Sequence, residues 1–150
     1  MNVKEVVEIV LSLNGGRKFE ETCDQLIEGD WEQEVTGVVT TFMATVDVIH
    51  QVIDKGYNLI ITHEPTYFTG SDRLDWLESD PVYQKKKALI HDNGISIWRY
   101  HDHMHSGITD LIYAGLLKTL GWENYLEKNI PQPHCYSIPA ATLTDLVDDL

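Results

Sequence analysis

Apolar positions along the chain recur with two alternating periods. Val3, Val6, Val7, Val10 and Leu13 follow the three-and-four spacing of a helix that buries one face. Asn2 followed by Glu5 has the layout of a capping box, with Asn in the Ser/Thr position. Gly15 and Gly16 stop that helix. Residues 17–34 are acidic, show no period and read as irregular. Positions 35–40 (Val-Thr-Gly-Val-Val-Thr) are rich in β-branched side chains and predict a strand. Val48, Ile49, Val52 and Ile53 mark a second helix ending at Gly56. Positions 58–62 (Asn-Leu-Ile-Ile-Thr) are a short apolar run of the kind buried in a parallel sheet. After a loop between Pro65 and Pro81, Val82, Ala88, Leu89 and Ile90 predict a third helix, closed by Asn93-Gly94. Positions 95–98 predict a third strand, and Ile108, Leu111, Ile112, Leu116 and Leu120 a fourth helix ended by Gly121.

Strands and helices therefore alternate. Such alternation implies right-handed crossovers and an α/β fold, with a mainly parallel or mixed sheet covered by helices on both faces. With 150 residues the chain has the length of a single domain over 1–150. Near its end, Thr142 and Asp145 form another capping box, and Leu143, Leu146, Val147 and Leu150 begin a helical stripe. A helix that opens where the sequence stops leads us to expect the N-terminal part of a longer protein.

Charge narrows the function classes. The formal charge is −13, whereas a nucleic-acid binder should carry a basic stripe. Lys85-Lys86-Lys87 is the basic cluster, and it sits in a helical pattern as a solvated face. The sequence has no apolar run long enough to span a bilayer, and the early acid at Glu5 does not fit a signal peptide. The expected setting is the cytoplasm. Cys23 and Cys135 lack the CxxC spacing of a thiolate zinc site and form no disulfide framework.

The reactive side chains concentrate after two of the predicted strands. Tyr100-His101-Asp102-His103-Met104-His105 places three of the seven histidines within five positions. Thr62-His63-Glu64-Pro65 follows the preceding strand. In open α/β sheets, ligands bind beyond the carboxyl ends of the strands. His101 and His105 share a face on a helix, and all three imidazoles share one if the segment is extended. Spacing alone leaves those alternatives open. A single histidine at a strand end usually packs or caps, but three so close favour metal binding. Imidazoles and carboxylates without thiolate suit zinc, iron, manganese or nickel. Asp102 is either a ligand or an acceptor that orients an imidazole.

In this order the segments resemble the Nif-three-like family of dinuclear-metal-centre hexameric proteins, often labelled GTP cyclohydrolase I type 2. The resemblance runs from Thr22 to Gly121. Residues 22–30 resemble the family's early Trp-Asp segment. Residues 58–65 are similar to its strand ending in His-His-Pro, and 95–105 to its His-Thr-Asn-Leu-Asp signature. By position, the resemblance assigns His63, Glu64, His101 and His105 as metal ligands. Glu64 stands where the family has histidine, and His105 where it has aspartate. The resemblance further implies divalent metal ions, two in the full-length protein, and further ligands from a later segment. It also implies a hexamer. The expected activity is metal-dependent hydrolysis of a small molecule or nucleotide. The alternative is a non-enzymatic metal-binding or regulatory assembly.

Overall fold

The computed structural model describes residues 1–13, 15, 19–68, 74–106, 110–127 and 135–149. They fall into two compact units, Met1–Ile108 and Thr109–Leu150.

The first unit is built on a four-stranded sheet of β1 (Leu26–Glu28), β2 (Val38–Thr41), β3 (Leu59–Thr62) and β4 (Ser96–Arg99), in the order β1-β4-β3-β2. β2, β3 and β4 are mutually parallel, with Ile60 beside Ile97 and Thr62 beside Arg99. β1 runs antiparallel to β4 at the edge. The sheet is therefore mixed. Every residue of β3 and β4 is buried, so β3 reads as an apolar run without alternation, while β4 buries Ser96 and Arg99 beside Ile97 and Trp98.

Successive side chains leave the central strands on opposite faces. Ile60 and Ile97 pack with Ala44, Ile49, Val52, Ile90 and Ile95, under α2 (Val46–Asp54) and α3 (Pro81–Asp92). Leu59, Ile61 and Trp98 pack with Val3 and Val7 of α1 (Val3–Leu13). Burying each Ile, Leu or Val side chain contributes on the order of 1.5–3 kcal/mol. The helices stop and start where local chemistry dictates. The Asn2 side chain accepts from the Glu5 N–H and the Glu5 carboxylate accepts from the Asn2 N–H, both at 2.9 Å. Thr45 caps α2, and Asp80 caps α3 ahead of Pro81.

The edge strand corrects the irregular reading of 17–34. Three residues with a register shift between Leu26 and Glu28 carry no period of their own, so the pairing is imposed by β4. Gly29 then passes so close to β4 that an added Cβ would lie 2.1 Å from Ser96 Oγ, and its φ of +98° suits glycine alone.

The second unit holds α5 (Leu111–Leu120) and α6 (Leu143–Asp149). Asp110 caps α5, and Gly121 closes it in the left-handed conformation at φ +67°. Thr142 and Asp145 form the capping box expected for α6. Between them Leu126 bridges Tyr136. Among the described residues, no helix is long and apolar enough to cross a membrane.

Candidate metal centre

β3 and β4 end side by side, so the residues after Thr62 and Arg99 emerge together at the carboxyl edge of the sheet. The pairing continues past the strands, with the Tyr100 N–H donating to the Thr62 carbonyl at 2.8 Å. On the other side the His63 N–H donates to the Phe42 carbonyl at 3.2 Å. His63 is thus buried, with its backbone fixed on both flanks.

The histidine run turns into one short helix, α4 (Asp102–His105), with His101 at its N-cap. The His101 side chain makes no capping bond. Asp24 supplies the cap instead. Its Oδ1 accepts from the backbone N–H of His101 at 2.7 Å and of Asp102 at 2.8 Å, and its Oδ2 from that of His103 at 2.9 Å. A helical turn settles the alternative that spacing left open. His101 and His105 share the face toward His63, while His103 turns the other way. There its Nδ1 lies 2.6 Å from Asp24 Oδ2, and its ring meets Phe19 edge-on at 4.8 Å.

His63, His101 and His105 converge. Each offers a ligand nitrogen, and these nitrogens lie within 4.8 Å of one another. The His63 ring stacks on His101 at 4.6 Å and meets His105 edge-on at 5.0 Å. Two of the rings have one nitrogen already committed. His63 Nδ1 faces the Tyr100 carbonyl at 3.2 Å, so Nδ1 carries the proton and Nε2 the lone pair. His101 Nδ1 is 2.9 Å from Asp102 Oδ1, which directs ligation to Nε2. His63 Nε2 and His105 Nε2 lie 3.3 Å apart. Two nitrogens bound to zinc at tetrahedral angles would be about 3.3–3.4 Å apart, so this pair fits one ion. Burial, foremost, holds the His63 pKa below its ordinary value. The neighbouring His101 and His105 act in the same direction, against the Tyr100 hydrogen bond and the Glu64 charge. A neutral imidazole is what a metal requires.

Glu64 follows His63 in the chain, and its charge reaches that ring, but its carboxylate is not one of the three converging ligands. A second trio, Cys23, His101 and Asp102, meets the same 4.8 Å separation. Asp102 Oδ2 accepts from the Thr22 hydroxyl at 2.8 Å and the Cys23 N–H at 2.9 Å. Its Oδ1 accepts from the Cys23 thiol at 3.2 Å. Burial would raise the Asp102 pKa, but the bonds from Cys23, His101 and Thr22 outweigh it and hold the carboxyl well below its usual range. Burial and the bond to Asp102 push the Cys23 thiol up to about 11.

Sequence reasoning assigned no role to Asp24. Its partners lie 77 to 79 positions away, so nothing local marked it beyond the similarity of 22–30 to a family segment.

Parallel strands ending in an imidazole cluster, with two of the rings oriented from behind, define an α/β protein with a candidate metal centre at the carboxyl edge of its sheet. Residues 1–130 match the model of the Duf34/NIF3 (NGG1p interacting factor 3) family, and the chain belongs to that family. A GTP cyclohydrolase 1 type 2 homolog of Clostridium acetobutylicum is 32% identical over 106 residues, covering 69% of this chain and 38% of that protein. The crystal structure of Staphylococcus aureus protein SA1388 superposes with a TM-score of 0.63 at 25% identity, over 85% of this chain and 34% of that one. A Bacillus cereus protein related to NIF3 gives a TM-score of 0.65 at 24% identity, over 89% and 36% respectively, a likeness of fold alone. The chain thus spans well under half the length of these relatives. The resemblance of family and fold read from the sequence is borne out.

Proposed function

We propose that His63, His101 and His105 hold a divalent metal ion, with Glu64 beside them as an auxiliary carboxylate. The protein then acts as a metal-dependent hydrolase of a small molecule or nucleotide. The observation that carries the metal is the 3.3 Å approach of His63 Nε2 and His105 Nε2, since two imidazole nitrogens so close need a proton or a cation between them. The donor set of imidazole with nearby carboxylate suits zinc, iron or manganese. When bound, such an ion supplies Lewis acidity and acidifies water. The chain's own part is to hold three rings at a half-open edge and to fix two of them through Tyr100 and Asp102. A second ion would need a bridging carboxylate, the part that the family resemblance gives to Glu64.

A second reading is a non-enzymatic metal-binding or regulatory assembly, hexameric as the resemblance implies. The apolar side chains Leu111, Ile112, Tyr113 and Leu116 of α5 are exposed, which favours contact with another copy.

Elemental analysis of the purified and reconstituted protein tests the metal. The expected result is about one equivalent, lowered by His63→Ala and by His101→Ala. Less than roughly a tenth of an equivalent after reconstitution would remove the reading. Chelator-sensitive turnover on nucleotide and phosphoester panels supports the hydrolase. Metal binding with no such turnover supports the assembly, whose hexamer light scattering would detect.

A further inference from the structure

The two trios share His101, which raises the question of whether Cys23, His101 and Asp102 bind an ion of their own. We propose that they do not: Asp102 is a positioning residue that acts through His101, and the 22–24 segment is the frame that holds Asp102. This rests on reading the three imidazoles as metal ligands.

Three observations support it. The first is saturation. A carboxylate offers about four lone-pair sites. Asp102 faces the Thr22 hydroxyl, the Cys23 N–H, the Cys23 thiol and His101 Nδ1, at 2.8 to 3.2 Å. Taking an ion would mean surrendering these bonds. The second is charge. Arg99 is fully buried behind the segment, and its Nε–H donates to the Cys23 carbonyl at 2.6 Å. A guanidinium is permanently charged, so a divalent cation at Cys23 would face a buried positive neighbour. The third is reciprocity. Asp24 accepts the N-terminal N–H groups of α4, while Asp102 of α4 accepts the N–H of Cys23 and the hydroxyl of Thr22. Each segment thus supplies the carboxylate that fixes the other. Of the four donors that reach Asp102, only His101 belongs also to the imidazole trio. The bond to its Nδ1 fixes the tautomer and aims Nε2.

Cobalt(II) titration of the whole chain tests this, because cobalt reports ligand type and geometry in its spectrum. The wild type should bind one equivalent with no sulfur-to-cobalt charge-transfer band, and Cys23→Ser should leave that count unchanged. Asp102→Ala should weaken cobalt binding about 10–100-fold and shift the visible ligand-field bands. Asp102→Asn, which keeps an oxygen acceptor, should recover part of both. If Asp102→Ala does not fold, Thr22→Val removes one donor and should give a smaller loss with the same spectral shift. A charge-transfer band abolished by Cys23→Ser, together with a second equivalent, would overturn the proposal. So would wild-type affinity and spectrum in Asp102→Ala or, where that variant does not fold, in Thr22→Val. Absence of cobalt binding by the wild type would overturn the metal reading itself, and this inference with it.

Discussion

His101 and His103 stand two positions apart, and each has its Nδ1 against a carboxylate, yet they have different tasks. His101 Nδ1 is 2.9 Å from Asp102, and its side chain is 36% exposed beside the rings of His63 and His105. His103 Nδ1 is 2.6 Å from Asp24, and its side chain is 9% exposed against Phe19. The carboxylate partner is common to both, so it cannot be what makes His101 rather than His103 a candidate ligand. What differs is the company at the other edge of the ring. One imidazole looks onto two further imidazoles, while the other meets the Phe19 ring edge-on. A helical turn of about 100° per residue sends positions 101 and 103 to opposite sides, so the backbone sets the contrast.

The largest effect should come from removing the group on which both histidines depend. Asp24→Ala leaves the N-terminal N–H groups of α4 without their acceptor in a buried site, and should cost roughly 3 kcal/mol or more in urea denaturation. Metal binding should fall with it, because His101 and His105 would lose their common frame. His101→Ala should then divide the pair. It should weaken metal binding by more than the roughly 10–100-fold expected for an orienting partner, with little change in melting temperature. His103→Leu should do the reverse, losing about 1–3 kcal/mol of stability while metal affinity measured by calorimetry stays within about twofold. Equal loss of metal in the two variants would erase the distinction. The smallest effect is expected from Glu64→Gln, a change in affinity below about tenfold, since its carboxylate lies outside the converging trio.

The framework was legible wherever burial imposes a period. The stripe from Val3 to Val10 and the apolar run of β3 carry their own signal, because those positions pack on the core, whereas Leu13 at the helix end is exposed. β1 carries none, since three residues paired to one strand acquire their shape from that strand. The same division holds at the site. His63, His101 and His105 stood out by residue type and by their place after parallel strands. Whether 101–105 coils or extends was undetermined by spacing, because the decision belongs to a carboxylate 77 positions upstream. Asp102 showed two roles in the sequence and one set of partners in the structure. Glu64 was placed by resemblance, and the geometry leaves it adjacent to the trio without joining it.

The close passage of Gly29 over Ser96 has a consequence at a distance. β1 is the tether of the 22–24 segment, and its length of slack is set where the chain touches β4. A methyl group at position 29 would meet Ser96 at 2.1 Å and lift the edge strand. The displacement would be felt five residues upstream, at Asp24, as a change in how far the segment reaches into α4. The hydrogen atom that glycine carries in place of a side chain thus acts as a depth stop, and the tolerance of the histidine edge to error is fixed just past the end of the strand farthest from β2.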